Sequence, residues 1–264
     1  MRESRHQFAA LKRKLARIEG SPALAGPGLV PLGHAGIDAA LGGGLARGRL
    51  HELFALDSAD ASSGAGFAAM LALRMGGPLV WLRTEAAEKL GGGLHAPGLS
   101  EIGIDPAALV LGVLPDARDV LRTGLDVVRC AAVGVAVIEL WRGVRELDLT
   151  ATRRLAVAAE GSGVTTLLLR VEAVPMPSAA HTRWAVRAGS SAALEANAPG
   201  HPAIDVELLR QRGRPAGAGW LLEWDRDRTI FREPGGQSAL PGAVVPLPAG
   251  GPAGAGFASI RRAG

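Results

Sequence analysis

The chain has 264 residues, enough for one large domain with appendages, and its 48% hydrophobic and 20% charged residues suit a protein that buries a core. Its single cysteine, Cys130, excludes an intrachain disulfide and a thiolate metal cluster, and no apolar run approaches the ~18 residues of a membrane span. The formal net charge of +4 sits at one end: residues 1–20 hold six bases against two acids, leaving 23 of the 29 bases to face 23 of the 25 acids, so the body lacks the broad positive field of a general nucleic-acid binder.

The first predicted element is a basic amphipathic helix over residues 1–20. Phe8, Leu11, Leu15 and Ile18 share one face, and Arg13 and Arg17 stand among the bases of the other. Gly20-Ser21-Pro22 stops it, and residues 21–28 read as a linker. Two uses fit: docking on its own domain, or an arm for a partner or a second copy. Lys12 cuts the apolar stretch that begins at Phe8, which makes it too short for a secretory leader; the expected location is the cytoplasm.

The body, residues 29–233, alternates strand and helix. Strands are expected at 50–56, 78–82, 109–114, 135–140 and 164–169, with helices at 67–75, 117–131 and 149–160. The run Val135-Ala136-Val137-Ile138 is apolar throughout, as a strand buried on both faces requires. This alternation predicts an α/β fold with a mainly parallel twisted sheet flanked by helices. Strands at 182–187, 204–211, 220–224 and 229–231 then form an antiparallel edge extension. Residues 234–264, rich in Pro, Gly and Ala without a period, are expected to be disordered. Cys130, in the predicted helix 117–131, reads as a small core residue.

Residues 49–75, RLHELFALDSADASSGAGFAAMLALRM, read as strand, small-residue loop and helix, the setting of a phosphate-binding loop of the form G-x-x-x-x-G-K-[ST]. Here the loop ends Ser62-Ser63-Gly64-Ala65-Gly66. Ala59 replaces the first glycine, Ala65 the lysine, and Gly66 the Ser/Thr that holds Mg²⁺. Phosphoryl transfer depends on neutralising charge at the γ-phosphate, and neither group that does so is present. Arg74 lies too far along the helix to substitute. No cofactor and no metal site are expected, and the nucleotide loop is expected to be inactive.

The segment from Leu32 to Leu53, LGHAGIDAALGGGLARGRLHEL, resembles the lead-in to a RecA-type recombinase core, and most resembles the ImuA family of RecA-like, SulA-like accessory proteins of bacterial SOS mutagenesis. The resemblance spans about residues 29–233. It implies that Glu85 stands where the superfamily has its catalytic glutamate, and that Glu139 stands where the Mg²⁺-holding carboxylate ends its strand. It also implies that Arg210 and Arg212, alternating on a late strand, match a cationic pair that reaches a neighbouring subunit. With the loop altered, Glu85 and Glu139 are expected to be vestigial.

The DNA-binding loops of such proteins look reduced. Arg142 and Arg145 are balanced by Glu146 and Asp148, and the stretch after residue 171 carries Pro175 and Pro177 but little positive charge. DNA contact is thus expected to be weak or indirect. The role the resemblance implies is non-catalytic: an interaction protein in error-prone translesion synthesis, working with an ImuB-type Y-family polymerase homologue and an error-prone polymerase. RecA or a second copy is a further candidate partner. Two alternatives stay open. One is a DNA-dependent ATPase with an atypical site that uses Glu85 and Glu139; the other is a SulA-like cell-division inhibitor.

Overall fold

The structure, a computed structural model, describes residues 28–191 and 200–235. The predicted helix 1–20, with Phe8, Leu11, Arg13, Leu15, Arg17 and Ile18, lies outside them, as does the tail from residue 236.

Eleven strands are described. β1 (Leu29–Val30) and β2 (Leu45–Ala46) form a small antiparallel pair. The other nine, β3 (Leu50–Ala55), β4 (Leu79–Thr84), β5 (Leu109–Leu114), β6 (Val135–Trp141), β7 (Thr165–Val171), β8 (Thr182–Ala188), β9 (Ala203–Gln211), β10 (Gly219–Asp225) and β11 (Ile230–Arg232), form one sheet in the order β11-β10-β9-β8-β3-β7-β6-β4-β5. From β8 to β5 every pairing is parallel, and β8 to β11 pair antiparallel. The expected antiparallel extension therefore begins one strand late, because β8 runs parallel to β3 and only its other edge is antiparallel. β6 lies between β7 and β4, which explains its unbroken apolar run: both faces and both edges are covered.

Among the described residues six α-helices flank the sheet: α1 (Ala35–Leu41), α2 (Ala61–Met75), α3 (Glu85–Gly91), α4 (Ala96–Ile102), α5 (Ala117–Val128) and α6 (Leu149–Ser162). Strand alternation sorts the core into two layers. Leu53, Trp81, Val137 and Leu169 face α1, α2 and α4 with Ile37, Phe67 and Leu99. Leu50, Val80, Ile138 and Leu168 face α5 and α6 with Val120, Val127 and Leu155. Cys130 packs against the second layer but lies past the end of α5, which stops at Val128.

The segment 32–53 forms α1, the turn after it, β2 and β3. His34 caps α1 by accepting from the Ile37 N–H at 3.3 Å, and the Asp38 carboxylate accepts from the Leu32 and Gly33 N–H groups. Gly44 is held at φ 136°, and a Cβ there would lie 2.2 Å from the Val30 carbonyl oxygen. The glycines of ALGGG thus build the lead-in turn against β1.

One buried polar chain fixes how β3 meets β8. His51 is fully buried; its Nε2 stands 2.9 Å from the Ala46 carbonyl oxygen, an acceptor only, so Nε2 carries the proton. Nδ1 then accepts from Thr182 Oγ1 at 2.8 Å, and Thr182 Oγ1 accepts from Trp184 Nε1 at 2.8 Å. Burial holds His51 down at about 3, because a charged imidazole there would lose its hydration.

Candidate functional site

Open α/β sheets place ligand sites at the carboxyl ends of their strands. At the end of β3 the chain passes Leu56 and Asp57 into a 3₁₀ turn, Ser58–Asp60, and straight into α2 at Ala61. Ser62, Ser63, Gly64, Ala65 and Gly66 are helical. This corrects the expected loop with a helix starting at residue 67.

Packing accounts for the difference. A Cβ on Gly64 would lie 3.1 Å from Leu169 Cδ1 and 3.2 Å from Ala55 Cβ, so this glycine lets the first turns of α2 approach β3 and β7. Ala61 and Ala65 pack against the same core. Gly64→Val is expected to overpack that contact and destabilise the fold by about 1–3 kcal/mol, read as a lowered denaturation midpoint. An unchanged midpoint would refute the packing role.

Two carboxylates stand just before this helix, although neither side chain bonds its N–H groups. Asp57 accepts from the Ala59 N–H at 2.8 Å, and Asp60, the N-cap residue of α2, accepts from the Ala188 N–H of β8 at 2.9 Å. Anions at a helix N-terminus are stabilising, and a phosphate brought there meets two charges of its own sign. Sequence reasoning passed over both residues; acids just before a helix were the available signal. Arg74 is committed elsewhere, bonded through Nε to the Pro31 carbonyl at 3.2 Å and through Nη1 to the Thr229 carbonyl at 3.1 Å.

Glu139 is on β6, facing the α2 side, and only 3% exposed. Its Oε2 accepts from Trp81 Nε1 at 2.8 Å; its Oε1 accepts from Arg83 Nη2 at 3.0 Å and from Trp141 Nε1 at 2.7 Å. Arg83 also donates to the Ala87 carbonyl at 3.0 Å and the Gly92 carbonyl at 2.9 Å, and so ties the first turn of α3 and its C-cap residue to the sheet. The Trp141 ring lies against Gly91, where a Cβ would come within 2.5 Å of Cζ2. Trp141 is thus a packing residue. Glu139 is the hub of a buried ion pair with three donors.

The other expected site residues are apart from this hub. Glu85 is exposed on the first turn of α3, capped by Thr84 Oγ1 accepting from the Ala87 N–H at 3.0 Å. Arg210 is exposed near the end of β9 and donates to the Ser178 carbonyl at 3.2 Å. Arg212 lies beyond β9 in the turn, which corrects its expected place on the strand. Among the described residues no group of three or more His, Cys, Asp or Glu is placed to hold a metal ion, and no helix is long and apolar enough to cross a membrane.

No protein-family model matches the sequence, and no curated protein matches it. Among solved structures the chain is similar to the RadB recombinase, with a TM-score of 0.52 at 15% identity over 78% of this chain and 99% of that one. The fold is therefore that of the RecA-like α/β proteins, a mostly parallel sheet flanked by helices with antiparallel strands at one edge.

Proposed function

We propose that this chain is a RecA-like interaction protein that does not turn over nucleotide. The observation that carries this reading is the start of α2: the residues of a phosphate loop are wound into helix, and Asp57 and Asp60 stand in the turn just before it. Glu139 supports it as well, since every donor around that carboxylate belongs to the protein and a Mg²⁺ ion would have to displace an ion pair. The setting we infer, SOS-induced translesion synthesis beside an ImuB-type homologue and an error-prone polymerase, rests on the ImuA-like segment 32–53.

The experiment pairs the purified chain with the purified ImuB-type protein, and measures damage-induced mutagenesis in a deletion strain. A stable complex and lost mutagenesis, retained by Glu85→Ala, are expected. DNA-stimulated ATP turnover abolished by Glu85→Ala would overturn the reading in favour of an atypical ATPase. Returning the missing groups, Ala65→Lys with Gly66→Thr, is expected to restore no ATP binding in a titration, because the backbone stays helical and both carboxylates remain.

A further inference from the structure

The strap of residues 172–181 carries the chain from the end of β7 to the start of β8, and several of its groups are bonded to the sheet. Ser178 Oγ donates to Glu52 Oε2 at 2.6 Å, Arg183 holds the Met176 carbonyl while Nε bonds Glu52 at 2.8 Å, and the His181 N–H reaches the Leu50 carbonyl at 2.7 Å. Its upper end is fixed by two residues in the left-handed region: Arg142 (φ 64°) after β6 and Glu172 (φ 50°) after β7, ion-paired at 2.9 Å. The outward side chains are apolar. Val174 is 78% and Met176 64% exposed, each followed by a proline that offers no N–H. The result is a rigid apolar ridge.

At the same Phe54 ring as Arg183 stands an arginine that hydrogen-bonds no described carboxylate. Arg170, on β7, is only 5% exposed, and its Nε is sealed from solvent with no hydrogen bond. No group among the described residues accepts from its guanidinium, whose carbon lies 6.0 Å from the Phe54 ring centroid. Arg183, which holds the ridge, lies 5.2 Å from the same ring, but its charge is met by Glu52. Burial lowers the Arg170 pKa, and the charge of Glu52 opposes that only in part. Nε alone is sealed, and a carboxylate that reaches the terminal nitrogens from outside would add a charge-assisted hydrogen bond that no described residue supplies.

We propose that Arg170 and the ridge 174–177 form one docking site for a protein partner, which brings a carboxylate to the Arg170 guanidinium and covers Val174 and Met176 with apolar surface. A peptide fits better than a nucleic acid, because Arg142 and Arg183 are already neutralised by Glu172 and Glu52 and the ridge is aliphatic. The inference rests on the interaction-protein reading above and assigns the surface that serves it.

The test uses the full chain in DNA-damaged cells. A photo-crosslinking residue is placed at Val174, and at Val157, an exposed valine on α6, as control. Captured partners are identified and their cross-linked segment mapped. With the purified pair, Arg170→Met is expected to weaken association more than tenfold while the thermal midpoint stays or rises. Cross-links from position 174 to an acidic, apolar segment of the ImuB-type protein support both readings. Cross-links to such a segment of another protein, again weakened by Arg170→Met, keep the docking site and remove ImuB as the partner. Cross-links to DNA or to a second copy, or none above the Val157 control, overturn the site. So does Arg170→Met that lowers the midpoint and leaves association unchanged.

Discussion

Glu139→Ala is expected to lower the denaturation midpoint by on the order of 10 °C, although the residue stands where a catalytic carboxylate would be sought. Its removal leaves Arg83 charged and almost fully buried, and frees the indole N–H groups of Trp81 and Trp141 at once. Breaking a buried ion pair by deleting one partner costs about 3–5 kcal/mol, and each kcal/mol moves the midpoint of a domain of this size by about 2–4 °C. Because Arg83 also holds the Ala87 and Gly92 carbonyls, the loss should spread to α3, with faster amide exchange there than in α5 or α6. Glu85→Ala, on the exposed first turn of the same helix, should shift the midpoint by no more than a degree or two. If the two variants melt alike, Glu139 is not the hub described.

The second large effect is acid sensitivity from His51. Its imidazole is held at about 3 in the folded chain, against 6.5 for an ordinary histidine, so below pH 6.5 the unfolded chain takes up a proton that the folded chain refuses. The stabilisation is complete above pH 6.5 and is lost as the pH falls toward 3, by up to about 1.4 kcal/mol per pH unit and on the order of 5 kcal/mol in all. His181, also lowered chiefly by burial, acts in the same direction. Between pH 7 and pH 5 carboxylates contribute little, so the slope reports histidine. His51→Gln should start less stable at pH 7.5 and lose less on going to pH 5. An equal slope in the variant would contradict the assignment.

The strands were the most legible part of the chain. Residues 109–114 occupy the expected strand, and 135–140 missed only Trp141, because short apolar runs rich in Val, Leu and Ile have few other places to go. The short helices were hidden for local reasons. α1 is seven residues long and capped by a histidine; α3 follows β4 without a connecting residue; α4 opens at Ala96-Pro97, close behind Gly91-Gly92-Gly93. None is long enough to display a period. At 62–66 the small residues favour a loop by composition, but close packing of Gly64 on Leu169 and Ala55 outweighs that preference.

The candidate site was legible as a set of residue types and not as a set of contacts. Aligned on the phosphate-loop pattern, Ala65 and Gly66 fall at the positions of its lysine and Ser/Thr. Nothing in the string showed that Asp60 would reach β8, since that bond spans 128 residues. The partners of Glu139 depend on the register of β4 against β6, with Trp81 opposite Val137. One clue was available: Arg83 sits in an otherwise apolar strand and, once buried, requires an acid.

The central claim is the proposal that the helical turn after β3 binds no nucleotide. Calorimetric titration of the purified full chain with ATP and Mg²⁺ tests it most directly. The account predicts no saturable heat up to millimolar nucleotide, and the same for Asp57→Asn or Asp60→Asn alone. Saturable one-to-one binding in the micromolar range would contradict it.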